Sequence, residues 1–291
     1  MSNIPNIVHY DSPAALKKFL EERGLGMQKK FGQNFLINPS ARNHLVDALQ
    51  IKEDDDVWEI GAGLGAMSAL LLKRGARVCA FEIDRGFCSV LKEIFSDETK
   101  FTLIEGDVFE RWRLCPTEGR PLKLFGNLPY NIGAKLLGDF AENNFFFSRI
   151  VVTVQREVAR RIAAKKSSED YSSLSVLLAC FYHTKLLSVL KGESFFPVPH
   201  VESQGISLEL KENITPPPLC FVPLVRTLFS SRRKTIKNNL GVFLKRQDIT
   251  HDPVEILRQC EIAPEERAEN LSPEDFLSLA KCVSRVMGER V

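Results

Sequence analysis

From residue 57 onward, the sequence alternates short apolar runs with stretches of helical character, and this alternation restricts the fold more than any other feature. The apolar runs cover residues 57–60, 77–82, 101–105, 122–125 and 149–154, and helical patterns follow several of them. Such a rhythm is typical of a parallel β-sheet covered by helices on both faces. We therefore expect an α/β protein built on a doubly wound sheet.

A change in residue composition near residue 215 predicts a domain boundary. Charged residues at 211–212 lead to three consecutive prolines at 216–218, which cannot continue a sheet or a helix. Beyond them, Asp252 before Pro253 and Ser272 before Pro273 are helix-start signals. The pattern predicts a larger α/β domain over residues 1–212 and a smaller, all-helical domain over residues 219–291.

Composition excludes several classes of protein. The chain of 291 residues has a formal net charge of only +2, so a positive field for nucleic acid must come from local clusters. Its seven cysteines form no C-x-x-C pair and no histidine has zinc-ligand spacing, so we expect no metal site. No leader pattern occurs, and no run approaches the ~18 apolar residues of a membrane span, which predicts a cytoplasmic protein without a membrane partner.

A glycine-rich loop, E-I-G-A-G-L-G at residues 59–65, follows the first predicted strand of the alternating region. Glycines allow a sharp turn there and let a ligand lie against bare backbone near the positive end of a helix. The spacing leaves two cofactors open, because Gly61, Gly63 and Ala66 also fit the dinucleotide pattern G-x-G-x-x-A. Glu82 lies where a ribose-binding carboxylate is expected in either case.

Acidic residues favour S-adenosyl-L-methionine over a nicotinamide dinucleotide. Glu59 directly precedes the first glycine, and a carboxylate beside the ligand suits a cationic sulfonium but not a pyrophosphate. The third strand is followed by Asp107, which can accept a hydrogen bond from an adenine amino group. We therefore expect S-adenosyl-L-methionine as the cofactor, with a nicotinamide-dependent dehydrogenase as an alternative.

Asn127, Leu128, Pro129 and Tyr130 follow the fourth predicted strand and form the most specific motif in the chain. An adenine amino group is a poor nucleophile because its lone pair is delocalised into the ring. The Asn127 oxygen and a main-chain carbonyl held by Pro129 can accept the two amine hydrogens, while Tyr130 stacks on the base. Extruding the base costs roughly a few kcal/mol, which stacking of about 1 to 3 kcal/mol largely offsets. The motif predicts methyl transfer to the amino group of a nucleic-acid base.

Six blocks along the chain carry a resemblance to a known enzyme family: residues 30–36 (KFGQNFL), 59–65, 126–130 (GNLPY), 155–161 (QREVARR), 195–203 (FFPVPHVES) and 231–240 (SRRKTIKNNL). In these blocks the chain resembles the ribosomal RNA adenine N6-dimethyltransferases, above all their bacterial small-subunit (16S) branch. The resemblance implies a Rossmann-like S-adenosylmethionine methyltransferase sheet with a smaller C-terminal all-helical domain. It also implies dimethylation of two adjacent adenines in a 3′-terminal hairpin loop of small-subunit ribosomal RNA, in ribosome biogenesis.

The resemblance also implies roles for single residues. Asn34 and Leu36 would contact the cofactor, Gly61 would line the loop, Glu82 would bind the ribose, Asp107 would hold the adenine, and Asn127 would lie beside the transferred methyl. The chain departs from the usual family residues at Ala62, Gly133, His200 and Glu202. The last two leave the RNA contacts of their loop open.

Two further groups are candidate contacts for substrate RNA. Arg232, Arg233 and Lys234 can hold phosphates, although a basic run is more often a solvated helix face. Phe195 and Phe196 can stack on the extruded base, and a buried aromatic turn explains them equally well.

The expected partner is small-subunit ribosomal RNA or an assembly intermediate of the small subunit. Two alternatives stay open besides the dehydrogenase: a large-subunit rRNA adenine methyltransferase of the antibiotic-resistance type, and a ribosome-assembly factor without catalysis.

Overall fold

A computed structural model describes residues 7–28, 31–115, 122–129 and 132–288 of the chain. Its N-terminal part consists of α1 (Pro13–Glu22), the short strand β1 (Phe35–Leu36) and α2 (Pro39–Ala48). The side chains of Ser12 and Asn38 accept backbone N–H hydrogen bonds at the two helix starts, and a proline follows each cap. Both helices therefore begin where the sequence supplies a cap and a preset backbone angle.

Strands and helices alternate through the middle of the chain, as the apolar runs predict. The strands are β2 (Asp56–Ile60), β3 (Arg77–Glu82), β4 (Phe101–Glu105), β5 (Leu122–Asn127), β6 (Arg149–Gln155), β7 (Tyr182–Leu190), β8 (Phe195–Phe196) and β9 (Ser203–Leu210). The helices between them are α3 (Ala66–Lys73), α4 (Arg85–Ile94), α5 (Val108–Arg111), α6 (Gly133–Glu142), α7 (Arg156–Ala163) and α8 (Ser173–Phe181).

Among the described residues, seven of these strands form one sheet in the order β4-β3-β2-β5-β6-β9-β7. β2 to β6 are parallel and β9 runs antiparallel to β6. The predicted α/β class and its Rossmann-like sheet are confirmed. The strand order reverses between β2 and β5, and such a switch point opens a ligand crevice at the carboxyl ends of the strands.

In the residues that the structure describes, four α-helices follow the proline-rich stretch: α9 (Phe221–Phe229), α10 (Ile236–Arg246), α11 (Pro253–Gln259) and α12 (Pro273–Val286). Asp252 and Ser272 cap the last two, at the helix starts that the sequence predicts, and Ser272 forms a capping box with Asp275. The helical character of the C-terminal region is confirmed. Within the described part of the chain, no helix is both long and apolar enough to cross a bilayer.

The contacts within the chain divide it into two compact units. The first takes its described residues from 1–136, 146–159 and 185–210, and the second from 137–145, 160–184 and 211–291. Two segments of the second unit thus come from the part of the chain that the sequence assigns to the first domain. One of them contains α8, whose buried residues Val176, Leu178 and Phe181 give it an apolar character unlike that of a surface helix. The limits 1–212 and 219–291 stay a prediction.

Each unit has its own apolar core. In the first, side chains from the sheet and its helices are almost fully buried, among them Leu45, Val57, Leu71 and Phe125. In the second, the core contains Phe221, Ile236, Phe243 and Phe276, each at most 1% exposed. Burying such a side chain contributes roughly 1.5 to 3 kcal/mol.

Candidate active site

The glycine loop turns sharply after β2. Gly61, Gly63 and Gly65 have φ angles of 76°, 58° and 87°, in the left-handed region that favours glycine. A Cβ atom on Gly63 would lie 3.1 Å from the ring of Phe35, whereas beside Gly61 there is open space within 4 Å. The loop therefore presents bare backbone to a free volume at the switch point of the sheet.

Glu82 ends β3 and holds the glycine loop in place. Its carboxylate accepts hydrogen bonds from the backbone N–H of Gly63 at 2.7 Å and of Asp84 at 2.8 Å. The residue is only 5% exposed, and this burial raises its pKa above the ordinary value. Glu82 therefore lines the cleft as an acidic group already oriented by the backbone.

Asp84, which is hydrogen-bonded to Glu82, connects the end of β3 to the N-terminal part of the first unit. One carboxylate oxygen accepts from the side chains of Gln28 (2.8 Å) and Gln33 (3.1 Å). The other accepts from the backbone N–H of Gly86 and caps α4. The two glutamines lie more than 50 residues earlier in the chain, so no local pattern reveals this link.

Glu59 does not lie where the sequence predicts it. It is 1% exposed, and its carboxylate accepts a hydrogen bond of 2.5 Å from the Ser68 hydroxyl of α3. Burial raises the pKa of Glu59 to about 8, against the opposing effect of the Ser68 hydrogen bond. Glu59 thus faces the helix that covers its strand and is not among the residues that line the cleft, so its predicted place beside a cationic ligand is not supported.

Two adjoining depressions form one cleft at the carboxyl ends of the strands, with Phe31, Gly61, Ile83 and Pro129 common to both. The structure brings all six predicted cofactor residues to this cleft: Asn34, Leu36, Gly61, Glu82 and Asn127 line one depression, and Gly61 and Asp107 line the other. Asp107 is oriented by its own helix, since its side chain accepts from the Phe109 N–H at 2.9 Å and caps α5.

Asn127 ends β5, and its side-chain amide is held at both ends. The amide nitrogen donates to the Asn34 carbonyl at 2.7 Å, and the amide oxygen accepts from the Thr153 hydroxyl of β6. Leu128 is buried, with its N–H donating to the Thr153 carbonyl at 3.1 Å, and Pro129 lines the cleft. Tyr130, the fourth residue of the predicted catalytic motif, lies outside the described residues.

Two segments from opposite halves of the chain meet beside this cleft. β1 and β8 pair antiparallel, with Phe35 opposite Phe196 and Leu36 opposite Phe195. Phe195 is 2% exposed and packs in the core, so its ring offers no face to a base. We therefore correct its predicted role to packing, while Phe196 is only partly buried. The pairing fixes the backbone that carries the predicted cofactor residues Asn34 and Leu36.

Tyr10 and Thr153 are site residues that sequence reasoning missed. The Tyr10 hydroxyl donates to the carbonyl of Leu64 in the glycine loop at 2.9 Å, and Tyr10 lines the cleft. Arg42 supports this arrangement by donating to the Leu36 carbonyl at 2.9 Å. No local sequence pattern identifies either residue, because the hydrogen-bond partner of each, Leu64 for Tyr10 and Asn127 for Thr153, is distant in sequence.

The predicted basic cluster lies in the second unit, between α9 and α10. The Arg232 side chain is hydrogen-bonded within the second unit. Its guanidinium donates to the Glu269 carboxylate at 3.0 and 3.1 Å and to the Glu169 carbonyl at 3.0 Å. Arg233 and Lys234 are exposed. In the described residues, no group of three or more acidic, histidine or cysteine side chains is arranged to hold a metal ion.

Comparisons with known proteins agree with this geometry. The family model described as ribosomal RNA adenine dimethylase matches residues 24–285. Ribosomal RNA small subunit methyltransferase A of Treponema denticola is 42% identical over 283 residues, which cover 96% of this chain and 97% of the relative. The protein of the same name from Geobacter metallireducens is 34% identical, covering 91% of this chain and 98% of the relative.

Two solved structures share the fold. A dimethyladenosine transferase from Plasmodium falciparum has a TM-score of 0.70 and 24% identity, covering 87% of this chain and 98% of its own. The 23S rRNA methyltransferase ErmE has a TM-score of 0.61 and 20% identity, covering 86% of this chain and 99% of its own. At such identities the likeness concerns the fold alone.

Proposed function

The chain belongs to the ribosomal RNA adenine dimethylase family, and from this premise we propose that it transfers methyl groups from S-adenosyl-L-methionine to N6 of two adjacent adenines in small-subunit (16S) ribosomal RNA. The target lies in a 3′-terminal hairpin loop, and the product is N6,N6-dimethyladenosine. The observation that carries this proposal is the single cleft where a glycine loop, two acidic strand ends and Asn127 meet.

The residues of the cleft fit S-adenosyl-L-methionine. When bound, this cofactor supplies a methyl group on a positively charged sulfur. Bare backbone at Gly61, with open space before it, admits a ligand at close approach. The carboxylates of Glu82 and Asp107 stand at the ends of β3 and β4, where they can bind the ribose and the adenine. Asn34 and Leu36 line the same depression as Glu82.

Asn127 then orients the adenine amine. An oxygen acceptor has two lone pairs, and the Thr153 hydroxyl occupies one of those on the Asn127 amide. The other can accept a hydrogen from N6, which directs the nitrogen lone pair toward the methyl donor. Such preorganised acceptors stabilise the transition state more than the ground state. Tyr130 remains the proposed stacking partner of the base.

The alternatives fit the chain less well. The curated relatives at 34 to 42% identity carry the small-subunit name, whereas ErmE shares only the fold. A nicotinamide dehydrogenase and a non-catalytic assembly factor are both set aside by membership of an adenine dimethylase family. For RNA contacts we propose the exposed Arg233 and Lys234, the partly buried Phe196, and small-subunit RNA or an assembly intermediate as the partner.

Methylation of small ribosomal subunits that lack the modification tests this function. The wild-type protein should dimethylate two adjacent adenines, detected by mass mapping of the RNA. Asn127→Ala should lower kcat by at least about 100-fold, because it removes an acceptor used in the transition state. Its affinity for S-adenosyl-L-methionine, measured by calorimetry, should stay within roughly tenfold of wild type.

Asn143→Ala, at the exposed end of α6, is the matched control and should retain full activity. Full dimethylation by Asn127→Ala would contradict the role of this residue. Methylation of large-subunit RNA in place of the small subunit would contradict the proposed substrate.

A further inference from the structure

We propose that Thr153 is a positioning residue for methyl transfer, whose hydroxyl holds the Asn127 side-chain oxygen in the direction that receives the target amine. This inference rests on the proposed function of Asn127. The register of the sheet creates the arrangement, since Thr153 of β6 is the residue paired with Asn127 at the end of β5.

The Asn127 amide is held between two unlike partners. The Asn34 carbonyl can only accept, so it faces the amide nitrogen, to which it is joined at 2.7 Å. The Thr153 hydroxyl donates to the amide oxygen from the other side. If the amide were reversed, its oxygen would face the Asn34 carbonyl, and two acceptors would repel each other. The Asn34 carbonyl therefore determines which end of the amide faces it, and the Thr153 hydroxyl, which can donate or accept, donates to the oxygen and fixes its position.

Thr153 also fixes the backbone next to this amide. Its carbonyl accepts from the Leu128 N–H at 3.1 Å. The corner at which β5 ends is thus tied to one residue through both its main chain and its side chain. Only the side-chain contact depends on the residue type, so a substitution can separate the two.

The hydroxyl is not needed for packing. Thr153 is 1% exposed and interrupts an apolar stretch in which Ile150, Val151, Val152 and Val154 are all at most 2% exposed. Valine has nearly the shape of threonine and suits a buried strand. A polar group in such a run indicates a specific partner, because burying an unpaired hydroxyl costs free energy. Here that partner is the Asn127 oxygen.

Thr153→Val removes the hydroxyl and keeps the shape. With methyl transfer to small subunits as the assay, we expect kcat to fall about 3- to 10-fold, the range of one lost hydrogen bond in the transition state. KM for S-adenosyl-L-methionine and for the RNA should stay within about twofold, since Thr153 is not among the residues that line the cleft. Thr153→Ser restores the hydroxyl, and kcat should return to within about twofold of wild type.

A second buried threonine provides the matched control. Thr227 in α9 is 8% exposed, and its hydroxyl donates to the Pro223 carbonyl at 2.9 Å, within the second unit. Thr227→Val should leave kcat unchanged. Thermal unfolding of all three variants separates a loss of folded protein from a loss of turnover.

A Thr153→Val variant with wild-type kcat overturns the proposal. So does a Thr153→Ser variant that is as slow as Thr153→Val, or an equal loss in Thr227→Val. A wild-type protein that fails to methylate small subunits would instead overturn the proposed function. The two failures are therefore distinguishable.

Discussion

Glu59 and Glu82 are buried carboxylates on neighbouring strands that serve different parts of the site. Glu82 binds the backbone of the glycine loop and faces the cleft, whereas Glu59 binds the Ser68 hydroxyl away from it. Desolvation disfavours the charged form of both groups, and it raises the pKa of Glu59 to about 8. Glu59 therefore remains protonated in the folded protein at pH values where it is ionised in the unfolded chain.

Stability should consequently depend on pH through Glu59. Between its ordinary pKa of 4.5 and about 8, the folded state retains a proton that the unfolded state has released, so stability falls as pH rises. Glu59→Gln removes this dependence. The free energy of unfolding of the variant, relative to wild type, should therefore rise from pH 4.5 to pH 8 by on the order of a few kcal/mol.

Urea unfolding at pH 5, 6, 7 and 8 measures this difference. Glu21→Gln, on the exposed face of α1, should show almost no such trend. A difference between Glu59→Gln and wild type that stays constant across this range would show that Glu59 is ionised in the folded protein.

The sequence predicts which residues reach the cleft better than it predicts the contacts between them. Glu82, Asp107 and Asn127 stand at or just after predicted strands, which implies their location, whereas the role of Asn34 follows only from the family resemblance. The contact of Thr153 depends instead on strand register, which no local pattern encodes. The strand position of Glu59 likewise does not reveal the hydroxyl that Ser68 of α3 donates to it.

Among the elements, the glycine loop between β2 and α3 has the strictest steric requirement. Gly63→Ala would place a Cβ atom 3.1 Å from the Phe35 ring on a backbone with φ of 58°. We expect a loss of about 1 to 2 kcal/mol in stability from the left-handed conformation alone, together with weaker cofactor binding. Thermal unfolding and calorimetric titration measure the two effects.

Gly138→Ala is the control within a regular helix. In α6 a Cβ at this position would meet Glu142 at 3.8 Å, an ordinary contact, so the variant should gain roughly 0.5 to 1 kcal/mol. If Gly63→Ala proves as stable as Gly138→Ala, the loop is more adaptable than its angles indicate.

Long, periodic elements follow from the sequence, and short ones do not. The strands of the parallel sheet coincide closely with the predicted apolar runs. β1 and β8 have two residues each, too few for any period, although they join Phe35 and Leu36 to the other half of the chain. Likewise, α8 has an apolar pattern but no local signal that it joins the second unit.

Charge is distributed over the whole molecule so that the net value of +2 hides local concentrations. Arg232 is neutralised within the second unit by Glu269. Arg233 and Lys234, exposed beside it, are therefore the better test of RNA binding than the full cluster. Replacing Arg232 would disturb both the Glu269 ion pair and the Glu169 hydrogen bond.

The double variant Arg233→Ala, Lys234→Ala should bind RNA more weakly and with a flatter salt dependence. Each phosphate contact contributes roughly 0.7 to 0.9 to the slope of log K against log salt, so two contacts predict a change of about 1.5. Measuring the RNA Kd at several salt concentrations gives the slope. Lys245→Ala, Arg246→Ala removes the same charge from the exposed end of α10 and should leave the slope near wild type. Equal slopes in both variants would remove this cluster from the RNA contact.

The pairing of β1 with β8 also sets an order in time. Phe35 and Phe196 are separated by more than half of the chain, so a polypeptide made from its N-terminus carries β1 without a partner until β8 has been synthesised. The entropic free energy of closing a loop rises by only about 0.6 kcal/mol for each doubling of loop length. The long separation therefore delays the pairing of β1 with β8 but does not prevent it. A chain released before residue 195 lacks both the partner of β1 and strand β9, so Leu36 reaches the cleft on a strand that has nothing to pair with.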